Sequence, residues 1–358
     1  MTKQQKIAEF DPNQPGLADA SIFGLPFTAE ESEIIIIPVP WEVTVSYGAG
    51  ASAGPQAILD ASFQVDLFHQ EYPELWKLGI CLVDAPAFWQ ENSELLKEKA
   101  QAIIQALEDG EDLADHPALQ QSLEDINLAC EKLNKEVKEQ ILYWKKKGKK
   151  VALLGGDHSV PLGYYQALAE SHAAFGILHF DAHMDLRKAY EGFTYSHASI
   201  MYNASRLPQV SRIVQVGLRD FCEQEVAVAK EAGDRIKVFT DLDLKAAAFK
   251  GKTWEEQCNE IIASLPAQVS ISFDIDSLYQ WYCPNTGTPV PGGLSFEQVT
   301  YLLSALANSD KEIIGFDLVE VSPGTDDWDG NVGARLLFHL CGAFAKSQGL
   351  KVGDRISF

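Results

Sequence analysis

The sequence predicts an α/β fold built on a doubly wound, mostly parallel sheet. Eight short apolar runs recur along the chain, helix-length segments separate them, and the runs lack strict apolar–polar alternation. The runs are "IIIIPV" (34–39), "GICLV" (79–83), "VALLG" (151–155), "GILHFD" (176–181), "RIVQVG" (212–217), "IKVF" (236–239), "VSISFD" (269–274) and "IIGFDL" (313–318). Their Ile, Val, Leu and Phe content without alternation suits parallel strands buried on both faces. The helical segments between them complete successive βα units. No internal repeat, low-complexity stretch or Pro/Gly/Ser linker interrupts the order, so residues 1–358 are read as one domain.

The longest segment between strands, residues 92–148, reads as a helical insertion and as the least compact part of the chain. "SELLKEKAQAIIQALEDG" places Leu96, Ala100, Ile103 and Leu107 on one helical face, and the next stretch does the same with Ile126, Leu133, Val137 and Ile141. Ser122 with Asp125 marks a start for the second helix, and Gly148 marks its end. The basic tail "KKKGKK" reads as a favourable helix C-terminus rather than a binding patch.

Composition narrows the function classes. Apolar residues make up 46% and charged residues 22%, ordinary for a globular protein. The formal net charge of −22 repels phosphate backbones, which argues against nucleic acid as a partner. The same negative field suits a small cationic substrate. Six scattered cysteines, with no C-x-x-C pair, form neither a disulfide scaffold nor a zinc-finger pattern. The N-terminal stretch lacks the apolar core of a signal peptide. No apolar run approaches the ~20 residues of a membrane span. The expectation is a cytoplasmic protein that does not engage a membrane.

Three strand ends concentrate chemistry. "HFDAHMD" (179–185) sets Asp181, His183 and Asp185 at alternate positions, which in an extended segment project to one side. "SFDID" (272–276) ends a strand in Asp274 and Asp276, and "LLGGDHS" (154–159) presents His158 after a Gly-Gly turn. Strand carboxyl ends are where open parallel sheets place their working groups. Four carboxylates and two imidazoles brought together would be electrostatically costly without compensation, and divalent cations supply it. A set rich in oxygen and free of thiolate favours Mn²⁺ over structural Zn²⁺, while ligand type does not separate Mn²⁺ from Ni²⁺. Against this stands the plainer reading of capped strand ends with solvated carboxylates.

"GGDHS", "DAHMD" and "SFDID", in this order and spacing, resemble the ureohydrolase family of arginase, agmatinase and formimidoylglutamase. The resemblance runs from about residue 34 to 345. It implies a three-layer α/β/α domain around an eight-stranded parallel sheet. It implies two divalent ions per chain, bridged by Asp181 and Asp274, with His158 and Asp185 completing one ion and His183 and Asp276 the other. It further implies that His197, in "YSHASIMYN", shuttles protons and that Glu320, in "GFDLVEVSP", pairs with the guanidinium of a substrate. The family is typically trimeric or hexameric, which makes a homo-oligomer the expectation. Asp157 reads as a residue orienting a ligand or the turn. His179 reads as a packing residue, and His69, His116, His172 and His339 as structural or exposed.

Within the family, "PVPWEVTVSYGAGASAGPQAI" (38–58), "DAHMDLRKAYEGFTYSHASIM" and "PNTGTPVPGG" resemble the agmatinase branch. That branch implies cleavage of agmatine to putrescine and urea. The alternatives are guanidinobutyrate, guanidine, formimidoylglutamate or arginine as substrate, or a non-catalytic binding protein with the same fold. One departure bears on substrate: Tyr279-Gln280 stands where the branch carries Asp-Pro, and Tyr279, Trp281 and Tyr282 are bulky enough to narrow a pocket or repack a subunit contact. Arg187 reads as a structural ion-pair partner, with reception of an acidic substrate as its other reading.

Overall fold

The computed structural model describes residues 1–14, 16 and 20–357. All eight apolar runs form strands: β1 (Ile34–Val39), β2 (Ile80–Leu82), β3 (Lys150–Gly155), β4 (Phe175–Phe180), β5 (Val210–Leu218), β6 (Ile236–Thr240), β7 (Gln268–Asp274) and β8 (Glu312–Val319). They form one sheet in the order β2-β1-β3-β8-β7-β4-β5-β6. Every pairing is parallel.

The missing alternation has a direct cause, because both faces of the sheet are covered. On β1, Ile34 and Ile36 enter one core while Ile35, Ile37 and Val39 enter the other. On β3, Ala152 and Leu154 face the first core, Val151 and Leu153 the second. The first core is closed by α2 (Gly54–Ser62), α8 (Asp241–Phe249), α9 (Trp254–Ala263), α10 (Phe296–Ala307) and α11 (Trp328–Ser347), and α1 (Lys3–Glu9) packs Ile7 against it. The second is closed by α3 (Ala87–Glu108), α4 (Pro117–Lys146), α5 (Leu162–Ser171), α6 (Ile200–Ser205) and α7 (Glu223–Ala232). The result is the three-layer α/β/α arrangement. Among the described residues no helix is long and apolar enough to cross a membrane, and all six cysteines carry free thiols.

The segment from 92 to 148 differs from its sequence reading in two ways. It is not loose: Ala100, Ile103, Ile126, Leu133, Val137 and Ile141 are fully buried or nearly so, in the same core as β1 and β3. Their stripe seals one face of the sheet, which is why the two helices need so many apolar positions. Its second helix also starts earlier than Ser122. Pro117 occupies the first helical turn, where its missing N–H costs nothing, and His116 before it is non-helical at φ −121°. The end follows the sequence: the helix stops at Lys146 and Gly148 turns the chain at φ +78°. The basic tail serves the fold there, with Lys147 paired to Glu30 at 2.9 Å and Lys149 donating to the carbonyls of Glu30 and Ser32.

The packing of α4 predicts a sharp contrast between its faces. Ile141→Ala removes a buried side chain and is expected to cost about 2–5 kcal/mol. Leu128→Ala, at a position 68% exposed, is expected to stay within about 0.5 kcal/mol of the parent. Urea denaturation of the two variants checks both.

Candidate functional site

The four central strands β3, β8, β7 and β4 are neighbours. At their carboxyl ends stand His158 after β3, Glu320 after β8, Asp274 closing β7 and Asp181 after β4. The topology therefore gathers on one edge what the sequence separates by up to 162 positions, the span between His158 and Glu320.

The turn after β3 is shaped by close approach. Gly156 donates to the Val39 carbonyl at 3.1 Å and Asp157 to that of Trp41 at 2.9 Å. A Cβ on Gly156 would lie 2.1 Å from the Trp41 carbonyl oxygen, so glycine is required. Asp157 Oδ1 accepts from the Ser159 N–H at 2.9 Å and from its hydroxyl, fixing the turn. His158 is thereby presented inward, and its backbone N–H donates to Glu320 Oε1 at 2.8 Å.

A buried chain of hydrogen bonds orients the His158 ring. Tyr165 donates to Asp317 Oδ2 at 2.8 Å, and Ser272 donates to Asp317 Oδ1 at 2.9 Å. With its proton committed to Asp317, the Ser272 oxygen accepts from His158 Nε2 at 2.9 Å. The other ring nitrogen, Nδ1, then faces Asp181, Asp185 and Asp274 oxygens at 3.1, 3.2 and 3.2 Å. This nitrogen is buried and has no hydrogen-bond partner.

A second group adjoins the first. His183 Nδ1 lies 3.3 Å from Asp181 Oδ1 and 3.1 Å from Asp276 Oδ2. Asp181 belongs to both groups, one oxygen facing each. Backbone amides hold the carboxylates: His183 N–H on Asp181 Oδ1 at 2.5 Å, Asp276 N–H on Asp274 Oδ1 at 2.9 Å, and Ala182 N–H on Asp276 Oδ1 at 2.9 Å. Convergence does not come from extended alternation. β4 ends at Phe180, and Asp185 takes a left-handed φ of +53° that turns it back beside Asp181. Glu320 is also left-handed, at +63°. Each such residue costs roughly 1–2 kcal/mol, and the surrounding contacts must hold it there.

The electrostatics show how crowded the charges are. Burial, then Asp276 and Asp181, push the Asp274 carboxyl well above its ordinary value. Burial and Asp181 raise Asp185 to about 7. Burial opposes ionisation of Asp181 too, yet His179 and His158 hold it well below the usual carboxylate range. Glu320 is raised by burial and by Asp157.

His179 was set aside by the sequence reading, and the structure brings it in. Its Nε2 lies 2.8 Å from Asp181 Oδ2. Its Nδ1 meets the Gln215 amide nitrogen at 2.9 Å, and that amide also donates to the Met184 carbonyl at 2.8 Å. The Met184 carbonyl fixes which end of the amide points inward. His179 is therefore an Nε2–H donor to Asp181, and burial pulls its pKa down. The available signal was its spacing: two residues before Asp181, on the same face of β4. Ser272 and Asp317 carry no such signal, because they meet only as register partners on β7 and β8.

His197 opens a single 3-10 turn, Ser196 capping it by accepting from Ala198 N–H at 3.2 Å. It lines a cavity of about 260 Å³ together with His183, Asp185, Tyr190, Asp220 and Thr288. Burial and the nearby His183 lower its pKa to about 4. Arg187 lies over the Tyr190 ring at 4.7 Å and 3.9 Å from Glu225. Tyr279, Trp281 and Tyr282 do not line this cavity. Tyr279 stacks on Trp281 at 4.3 Å, and Tyr282 packs against Phe296.

The donor set fits hard or borderline divalent cations: carboxylate oxygens and imidazole nitrogens, no thiolate, and an orphaned Nδ1 ringed by three carboxylates. Comparison with known proteins agrees. The family model described as "Arginase family" matches residues 32–342. The chain belongs to the arginase family. It is a metal-dependent ureohydrolase of that family. It is 32% identical to N(1)-aminopropylagmatine ureohydrolase of Thermus thermophilus, over 90% of this chain and 93% of that protein. It is 29% identical to agmatinase of Bacillus anthracis, over 84% of this chain and 87% of that protein. In fold it resembles proclavaminate amidino hydrolase of Streptomyces clavuligerus, with a TM-score of 0.72 at 21% identity, covering 94% of this chain and all 100% of that one.

The His179 contact yields a prediction about metal affinity. His179→Phe keeps a ring on β4 but removes the donor to Asp181. The expected outcome is a ~10–100-fold loss of affinity for added divalent cation, read by calorimetric titration of the metal-stripped protein.

Proposed function

We propose that this chain hydrolyses a guanidino compound to urea and an amine, with agmatine giving putrescine as the leading case. The observation that carries the reading is the orphaned His158 Nδ1 among three carboxylates, beside a second group that shares Asp181. In this proposal Asp181 and Asp274 would help to hold two divalent ions, Mn²⁺ by preference. His158 and Asp185 would complete one site, His183 and Asp276 the other. Bound there, the ions would offset the clustered negative charge and make a hydroxide nucleophile available near neutral pH.

The remaining residues act on the substrate. Glu320 has one oxygen held by the His158 N–H, which leaves Oε2 to accept from a guanidinium N–H. That contact orients the guanidinium carbon toward the carboxylate cluster. His197, on the cavity wall, carries a proton to the departing amine, the step without which the tetrahedral adduct returns to reactant. Acidic Asp220 at the same wall suits a substrate with a cationic tail. Arg187 also lines this cavity, lying over the Tyr190 ring and 3.9 Å from Glu225, whose carboxylate offsets its charge toward an acidic substrate such as formimidoylglutamate.

A second reading lengthens the substrate. The Thermus thermophilus relative is named for N(1)-aminopropylagmatine, which carries an additional amine. The aromatic loop does not narrow the cavity, so nothing in that loop excludes the longer chain. As in its family, assembly into a homo-oligomer is part of the proposal.

The test is urea and amine release by the Mn²⁺-loaded protein from agmatine, aminopropylagmatine, arginine, guanidinobutyrate and guanidine. The proposal expects the highest kcat/KM with agmatine or its aminopropyl derivative. Preference for arginine or guanidinobutyrate would overturn the substrate assignment. Asp274→Asn is expected to lose bound metal and nearly all turnover. His197→Ala should retain metal while turnover falls ~10²–10⁴-fold. Full activity of His197→Ala across pH would remove it from proton transfer.

A further inference from the structure

The loop that carries His197 has well-anchored ends and one external support in its middle. At its ends, the Arg187 N–H donates to the Ala198 carbonyl at 3.1 Å and the Tyr202 N–H to the Asp185 carbonyl at 3.0 Å. Between them the chain folds into a tight turn in which Tyr190 and Phe193 exchange backbone hydrogen bonds, with Glu191 at φ +54° and Gly192 at φ +86°. This turn lies against α4. Asn127 Oδ1 accepts from the Thr194 N–H at 2.8 Å, and Asn127 Nδ2 donates to the Gly192 carbonyl at 3.4 Å. A Cβ on Gly192 would lie 2.8 Å from Leu123 Cδ2, one helical turn from Asn127.

The pattern is specific. The Asn127 carboxamide satisfies the C=O before Phe193 and the N–H after it, the pair that a neighbouring parallel strand would satisfy. It stands in for a strand that the loop does not have, and Phe193 is pressed into the core between the two bonds, fully buried. Thr194 is three residues from His197, and its carbonyl is held in turn by Asn203 Nδ2 at 2.8 Å.

The same helical hairpin also grips a second loop that lines the cavity. On α3, Ser93 Oγ accepts from the Glu42 N–H at 2.8 Å and Lys97 pairs with Glu42 Oε2 at 2.9 Å. Glu42, 2% exposed, accepts from the Gly50 and Ala51 amides with its other oxygen, so it closes the loop that bears cavity residue Ser46.

We propose that the α3–α4 hairpin is the positioning scaffold of the catalytic cavity, and that Asn127 is the positioning residue for His197. This rests on the reading of His197 as the proton carrier. Asn127 belongs neither to the carboxylate cluster nor to the cavity lining. It sets where the imidazole stands.

The test compares Asn127→Ala and Asn127→Asp with the parent in the metal-loaded, full-length protein. Ala removes both bonds, while Asp keeps the acceptor for Thr194. Hydrogen exchange is read first: Asn127→Ala should lose protection across 190–199 with β4 and β7 unchanged. Turnover of the best guanidino substrate should fall about tenfold or more, with KM and metal content held, since a misplaced proton carrier slows the chemical step. Added imidazole should restore turnover to Asn127→Ala, as to His197→Ala, and Asn127→Asp should lie between parent and Ala. Unchanged protection of 190–199 overturns the proposal, as does loosened protection with parental kcat, or a kcat loss that imidazole does not relieve. If the parent cleaves no guanidino compound, the reaction assignment fails separately. The exchange measurement then decides the clamp alone.

Discussion

The structure is organised around mutual repulsion among buried carboxylates. At an effective dielectric near 20, two unit charges about 4 Å apart repel by about 4 kcal/mol. Asp181, Asp185 and Asp274 are buried around His158 Nδ1, and Asp181 and Asp276 around His183 Nδ1. The first line of compensation is the backbone, whose N–H groups at Ala182, His183 and Asp276 each take a carboxylate oxygen. A second line lies beneath it. The Tyr165–Asp317–Ser272 chain aims His158, and Gln215 with Met184 aims His179. These groups are set so that nitrogen and oxygen lone pairs point at shared positions, an arrangement that divalent cations complete.

That constraint explains why the site sits on the middle of the sheet. Strands β3, β8, β7 and β4 have neighbours on both sides, so their ends are fixed by ladders of hydrogen bonds. Groups that repel one another need a frame that does not yield. Left-handed residues Asp185 and Glu320 stand at the border between this frame and the loops. Their strain is sustained by the contacts that a rigid sheet end provides.

The fold and the cluster were legible in the sequence because each rests on local patterns. Parallel strands buried on both faces read as short runs of Ile, Val and Leu, and all eight were visible within two residues of their ends. His158, Asp181 and Asp274 could be seen because each follows such a run. Residues whose roles depend on register could not be seen. His179 meets Gln215 only because β4 and β5 pair at those positions, and Ser272 meets Asp317 only because β7 and β8 do. The start of α4 was displaced for a related reason: Ser122 has the chemistry of a cap, but Pro117 upstream already begins the helix. The convergence of Asp185 was expected from alternation and arises from its positive φ, which no residue pattern at an aspartate announces.

The cavity wall obeys a different rule from the cluster. Its residues lie on loops, and loops have no ladder of their own to fix them. The chain at 190–194 borrows one from an asparagine on α4, and the chain at 42–51 is closed by its own buried Glu42, which Ser93 and Lys97 of α3 hold. Both supports reach the loops from outside the sheet, so they can vary without disturbing the carboxylates. The aromatic stretch at Tyr279, Trp281 and Tyr282 shows the complement. It departs from the expected pattern yet stacks on itself, away from the cavity. The placement of the cavity wall therefore depends on the residues that hold its loops, Asn127 and Glu42 among them, as closely as on the residues that line the cavity.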